Sequence, residues 1–557
     1  MITRTPSKVV FQSLCDGVMK GWDNEEVNES DDDGPVEYLS LPEVTISAFA
    51  ETGQEESSII VPLQRAYTGR KPVISSRLAD TPCATLGIRG LLDKLNITLG
   101  TTHSLDNPSL SSLLEECITN EYDFGMAYGR LRVIWYTDNW STVREVLRRR
   151  EKKDRDRRQE ALIDHRIVDT WLRPRRVWDL CSNRVVPYWI MNIDSKLKYR
   201  PWPQPISHAW VDEKDRTVVW TSINGYEWPV PIPNDVDLNL IRIEMLNLGL
   251  EYAWLDVLCL RQVGGPGEDL RAEEWKVDVP TIGRVYYHAK VVCYLSGLGR
   301  PLALKDGDLE SEQCWFRRAW TLQEVGYKRQ LQSKRSMWLW VHEALEEMRK
   351  RVSTNPVDKI AGLAFLMYSR TIPAYYESES LEDAWTALVL SMDERRRAQL
   401  FFLCPEPGNA GKKWRPSWDQ VMKPLHTCYH RRNGMRVRRD KTVDEDWCLV
   451  DCIEKGLVRG LAVVEGGANR CGELIVENDD GIEQFKITAA HTYPIPEDTY
   501  TMIHTCEFES SRGHCWVAGR SLPGGKFEKV ATLEISHEEQ SRLEDLHITE
   551  ERQYILI

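Results

Sequence analysis

The sequence predicts an α/β fold: a parallel sheet in the middle of the chain, helical flanking regions, and a β-rich domain at the C-terminus. Three observations carry this. Tyr252 to Leu260 is a nearly continuous apolar run, as expected of a strand covered on both faces. Leu238, Ile241, Met245 and Leu248 before it, and Val279, Ile282, Val285, Tyr286 and Ala289 after it, fall at helical spacing. A second buried run, Val291 to Leu295, follows, and strands that alternate with helices form parallel sheets.

At 557 residues the chain is too long for one compact domain. Residues 1–80 read as an acidic, flexible lead-in, marked by the run Asp23 to Asp33 and closed by Gly34-Pro35. Residues 81–200 read as mainly helical: Leu91, Leu92, Leu95 and Leu99 share a face. Leu110, Leu113 and Leu114 begin another helix, with Ser109 or Ser111 as its cap. Between Arg144 and Arg158, the i,i+4 pairs Glu145–Arg149, Glu151–Arg155 and Asp154–Arg158 indicate a solvated helix rather than a nucleic-acid patch. The prolines from Pro201 to Pro205 open the α/β core, assigned to 201–335, whose first strand runs into Ile206-Ser207-His208-Ala209-Trp210. A helical extension, 336–425, ends in a rigid aromatic linker, Trp414 to Trp418. The last part, 426–557, is strand-like at Val458–Val464, Glu473–Val476, Phe485–Ala489 and Cys515–Ala518, with turns at Gly466-Gly467 and Gly524-Gly525.

Composition narrows the function classes. A net charge of -13 argues against a nucleic-acid-binding surface, so no nucleic-acid partner is expected. Tryptophan is abundant, at 21 residues, enough to build a large aromatic core. The 14 cysteines follow no repeating framework, which fits reduced thiols. No apolar stretch suits a secretory signal or a membrane span, so a cytoplasmic protein is expected. Cys448, Cys452, Cys471, His504, Cys506, His514 and Cys515 match no standard metal spacing, and no metal is expected.

Ligands of parallel sheets bind beyond the carboxyl ends of the strands. That rule selects Ser207, His208 and Trp210 after the first strand, Asp256 and Gln262 at the second, and Trp320 and Glu324 after the third. A crevice lined by Trp210, Trp254 or Trp320 would stack a flat base, with Asp256 or Glu324 facing a developing positive charge. Structural readings stand beside these. Thr321 to Glu324 is also a capping-box string, or Glu324 pairs with Arg317 or Arg318. Asp256 alternatively caps a helix or holds loop amides, and Cys259 reads as a small core residue. Ser207 and His208 are adjacent and point to opposite faces of a strand, so they form no Ser–His dyad by themselves.

Pro205-Ile206-Ser207-His208-Ala209-Trp210 resembles the first sequence block of the fungal heterokaryon-incompatibility (HET) domain. Trp254-Leu255-Asp256 through Cys259-Leu260-Arg261-Gln262 resembles the second, and Arg318 to Glu324 the third. Asp358 to Leu363 and Trp414 to Trp418 resemble segments that follow them. The resemblance spans about Pro203 to Trp418; His208 stands where the family usually has Tyr, and Val211 and Ala319 where it has Gly. It implies a Rossmann-like fold similar to Toll/interleukin-1 receptor (TIR) domains, and a role in self/non-self recognition and regulated cell death. The implied partner is another protein or a second copy, engaged through the HET domain. Some TIR domains hydrolyse NAD with a glutamate on the helix after the third strand. By that likeness Glu324 becomes a catalytic residue and NAD a substrate rather than a cofactor; the strand-end positions add Asp256 as a second catalytic acid and Ser207, His208, Trp210, Trp254, Gln262 and Trp320 as ligand-binding.

Overall fold

A computed structural model describes residues 43–49, 55–62, 67, 69–191, 202–287, 290–300, 311–312, 314–324, 341–367, 371–424, 434–440, 442–463, 469–478, 481–504 and 513–557. They form helices and mixed sheets, so the fold is broadly α/β. The acidic run Asp23–Asp33 lies outside the described residues. Strands β1 (Glu43–Phe49) and β2 (Glu55–Pro62) pair antiparallel within the stretch expected as lead-in. The chain divides into two compact units. One holds Met1–Met337, Arg351–Ser353 and Ala374–Tyr376; the other holds Trp338–Lys350, Thr354–Pro373 and Glu377–Ile557.

In the first unit, helices α1 (Cys83–Leu99), α2 (Pro108–Thr119) and α3 (Phe124–Leu131) bury the leucines singled out by their spacing in one core with Trp135. The cap of α2 is Asn107 rather than Ser109 or Ser111. Its side chain accepts from the Ser109 and Leu110 amides, and Pro108 needs no partner at the first position. Helix α4 (Val143–Ala161) carries the pairs Glu151–Arg155 at 3.9 Å and Asp154–Arg158 at 2.9 Å. Its Arg158 is buried and also reaches Asp278 at 3.2 Å, so only part of this basic helix faces water.

The sheet of this unit is built from β3 (Arg176–Asp179), β4 (Arg184–Pro187), β5 (Gln204–His208), β8 (Tyr252–Leu255) and β9 (Val292–Tyr294). Between β5 and β8 the chain makes a separate ribbon, β6 (Arg216–Val219) with β7 (Val230–Pro233), and then helix α5 (Leu238–Asn247). The sheet order is β9-β5-β8-β3-β4. β5 lies parallel to both β8 and β9, whereas β3 joins β8 antiparallel. Two expectations change here. The boundary at 200/201 cuts through this sheet, because the hairpin β3–β4 comes from the region read as helical. The run Tyr252–Leu260 is not one strand: β8 stops at Leu255 and Asp256–Cys259 forms helix α6. The Leu260 amide donating to the Asp256 carbonyl at 2.9 Å closes that turn. Helices α7 (Glu268–Asp278) and α8 (Ile282–Tyr287) carry the chain to β9.

In the second unit, helices α9 (Val341–Arg349), α10 (Val357–Ala364), α11 (Leu381–Ser391) and α12 (Glu394–Leu403) precede a sheet that is antiparallel except for one parallel pairing, between its last two strands. Its strands are β10 (Arg438–Asp440), β11 (Glu445–Arg459), β12 (Asn469–Asn478), β13 (Gly481–Ala490), β14 (Asp498–His504), β15 (His514–Leu522), β16 (Lys526–Ile535) and β17 (Glu550–Leu556). Strand β14 pairs with β11 as well as with β15, so the sheet closes on itself. The helical extension and the β-rich part, expected as separate domains meeting at 425/426, belong to one compact unit. Buried Arg397 pairs with Asp446, and Lys529 donates to the carbonyls of Phe401 and Cys404 at 2.7 Å each. The aromatic stretch is core rather than linker: Trp414 is buried with its indole on Asp446 at 3.1 Å, and Trp385 donates to the Pro416 carbonyl at 3.0 Å.

Candidate functional site

Strand β5 ends at the residues that begin the site. In register, Leu255 lies beside Ile206, and Cys293 and Tyr294 lie beside Ser207 and His208. Asp256 therefore leaves the sheet next to Ser207 and His208. Successive strand residues face opposite ways, and these two take different acids. The Ser207 hydroxyl donates to Glu324 Oε2. His208 Nε2 lies 2.9 Å from Asp256 Oδ1. The sites predicted from three separate strings are thus joined by direct hydrogen bonds at consecutive residues of one strand.

Each pair has its own support. The Trp315 indole N–H donates to Ser207 Oγ at 2.7 Å, leaving the serine proton for Glu324. Asp256 Oδ1 also accepts from the Val257 amide at 2.8 Å, so Asp256 holds the start of α6 as well as the imidazole. The Gln262 amide reaches the carbonyls of Leu260 at 2.9 Å and Asp256 at 3.4 Å, pinning the loop that follows the acid. The capping-box reading of Thr321–Glu324 is replaced. The Thr321 hydroxyl lies 2.8 Å from the carbonyls of Trp315 and Arg318, and Glu324 turns to Ser207.

Electrostatics separates the two acids. Burial pushes Glu324 up to about 7; Asp256 adds to the rise, against the Ser207 hydrogen bond and the charges of His208 and Arg351. Burial would also raise Asp256, but His208 outweighs it and holds this carboxyl below the usual range. Burial alone would lower His208, yet Asp256 holds the imidazole above its ordinary value. A carboxyl that titrates near neutrality beside one that stays ionised is a division of labour suited to proton transfer.

The tryptophans divide. Trp210 lies against His208, ring centroids 5.7 Å apart, with the Arg216 guanidinium 5.1 Å from its centre. Trp254 is 2% exposed and meets Tyr286 edge-on at 5.9 Å, so it is a core side chain with no face for a ligand. Trp320 is half-buried, and its ring faces Tyr375 at 6.5 Å. Cys259 is buried, as read.

Sequence reasoning missed three residues. Trp315 stands just before the third string and had only its proximity to announce it. Tyr286, on α8, donates to the Ile206 carbonyl at 3.3 Å, and burial beside Glu324 and Asp256 drives its hydroxyl well above the usual phenol range. Arg351 donates to the Arg318 carbonyl at 2.9 Å and to Thr321 at 2.8 Å, and its charge reaches Glu324. No local pattern marks it, because it acts from a later segment. Among the described residues, no group of three or more His, Cys, Asp or Glu side chains is placed to hold a metal ion. No helix of the described residues is long and apolar enough to cross a membrane. Comparison with protein-family models, curated proteins and solved structures found no match to this chain.

Proposed function

We propose that this chain is a HET-type protein that acts in self/non-self recognition and regulated cell-death signalling through a TIR-like α/β unit. One observation carries the reading. The three strings that resemble HET blocks lie far apart in the chain, 48 and 117 positions between bonded partners, yet they meet pairwise as His208–Asp256 and Ser207–Glu324. Both bonds are made inside the fold, where Ser207 and His208 are buried, and they bring residues of all three strings to one strand end. In this reading the network is the working centre of the module, and a protein partner or a second copy is what it engages.

A second reading rests on the raised Glu324. As an NAD-cleaving hydrolase, the unit would use ionised Glu324 to face the oxocarbenium formed when the nicotinamide–ribose bond breaks, with Ser207 positioning it. His208 and Asp256 would orient the substrate from the other side of β5. The test is to incubate the purified chain with NAD and measure free nicotinamide, alongside viability of cells expressing it. Glu324→Gln lowers nicotinamide release by roughly 10²-fold or more if the acid is catalytic. Death without nicotinamide release, kept in a folded Glu324→Gln variant, leaves the signalling reading alone. Survival of every expressing cell with the folded wild-type chain rejects the proposed role in death.

A further inference from the structure

The ribbon β6–β7 has one strand edge open to pairing and one closed. The Asn234 amide donates to the Asp215 carbonyl at 3.0 Å, which identifies Asp215/Asn234 as a hydrogen-bonded pair. The register then runs Arg216 with Pro233, Thr217 with Ile232, Val218 with Pro231 and Val219 with Val230. Hydrogen-bonded and non-bonded pairs alternate in an antiparallel ladder. Thr217/Ile232 and Val219/Val230 therefore bond across the ribbon, while Arg216, Val218, Pro231 and Pro233 turn their backbones outward. On β7 both outward positions are prolines, which have no amide to offer, so that edge is blocked. On β6 the Arg216 amide is taken by the Glu213 carbonyl, but the amide and carbonyl of Val218 meet no backbone group of the described residues.

Three large apolar side chains on and next to this edge are exposed. Val218 is 64% exposed and Trp220 just beyond it 53%, with Tyr226 of the connecting turn at 56%. We infer that β6 is a homotypic pairing edge, joining β6 of a second copy antiparallel about Val218. Two features select a second copy over any other strand. The string Arg216-Thr217-Val218-Val219-Trp220 is complementary to its own reverse. Val218 meets Val218, and Arg216 faces Trp220 of the second copy, a cation opposite an exposed indole. The proline-blocked edge of β7 also stops growth at two, as a closed two-fold contact requires. Arg216 already lies over Trp210 beside His208, so pairing begins next to the candidate site. The inference supplies a surface for the self-association named in the signalling reading. It is measured on purified chain alone, so either can fail without the other.

The test is sedentimentation of the full chain by analytical ultracentrifugation up to about 100 μM, the range for a contact below the size of a permanent interface. The expected result is a monomer–dimer equilibrium. Val218→Pro removes an amide that β7 does not use, so the ribbon survives while dimer affinity falls at least about tenfold. If this variant melts below the wild type, Val218→Lys serves instead, placing like charges together at the two-fold. Facing Cα atoms of a hydrogen-bonded antiparallel pair lie about 5.5 Å apart, within disulfide range. Val218→Cys is therefore expected to cross-link between copies under mild oxidation where the wild type does not. A folded chain that stays monomeric throughout overturns the inference, including one that binds extended peptides instead. So does a dimer unchanged by Val218→Pro or Val218→Lys, or a dimer in which Val218→Cys fails to cross-link.

Discussion

Replacing Glu324 with Gln removes the proton that the folded site holds near neutrality, and the consequence is readable as stability against pH. The folded carboxyl titrates at about 7, against an ordinary value of 4.5. Between these values the folded state keeps a proton that the unfolded state releases. Its contribution is therefore fully present below pH 4.5 and is lost as pH rises through 7. At about 1.4 kcal/mol per pH unit, the gap corresponds to roughly 3 kcal/mol. Glu324 is only half-buried, and water screening reduces the expected effect to about 2 kcal/mol. Gln is neutral throughout and still accepts from Ser207, so Glu324→Gln gains on the wild type by that amount between pH 5 and pH 8. The assay is urea unfolding followed by indole fluorescence at successive pH values, taken as the difference between variant and wild type. A difference that stays flat within about 0.5 kcal/mol across this range refutes the assignment of Glu324 as a desolvated acid bonded to Ser207.

Two further outcomes follow from other contacts. The His208 imidazole is expected to titrate above its ordinary 6.5 in the folded chain, and Asp256→Asn is expected to lower that midpoint, measured by NMR of the ring protons. A raised histidine stabilises fully below the unfolded value and loses that contribution as pH rises through the folded one, so an unchanged midpoint in Asp256→Asn contradicts the pairing. Asp446→Asn leaves the buried Arg397 cation without its carboxylate, and about 3–5 kcal/mol of stability is expected to go with it. A loss below about 1 kcal/mol in the melting of this variant rejects that pair as a tie within the second unit.

The polar residues that follow the apolar strand runs were legible because position and period are enough to find them. Ser207 and His208 close an apolar strand, and their alternation put them on opposite faces. Asp256 interrupts an apolar run, and its chemistry stood out for that reason. The same run concealed where β8 stops, since an uninterrupted apolar stretch is equally a strand or a buried helix. The hairpin β3–β4 was hidden by its own charges. Each strand offers a short apolar piece, Val177-Trp178 or Val185-Val186, flanked by Arg176, Asp179 or Arg184, and such text reads as loop. Those charges are neutralised inside the fold: Asp179 by Arg132 at 2.9 Å, and Arg184 by Asp123 at 2.7 Å. Arg351 and Trp315 owe their place to tertiary contacts that no spacing encodes.

A ribosome releases β3 well before the strand it will adjoin, for Tyr252 follows its ladder partner Asp179 by about seventy residues. At ordinary rates of synthesis that is an interval of roughly 4–14 s with one side of β3 unpaired. Naked strand edges on neighbouring nascent chains can find each other in that time. The partners that steady the hairpin, Arg132 and Asp123, have by then already emerged, so it can dock on α3 while it waits. On a polysome translating this message, each chain therefore carries one side of β3 without its final neighbour in the seconds before residue 252 appears.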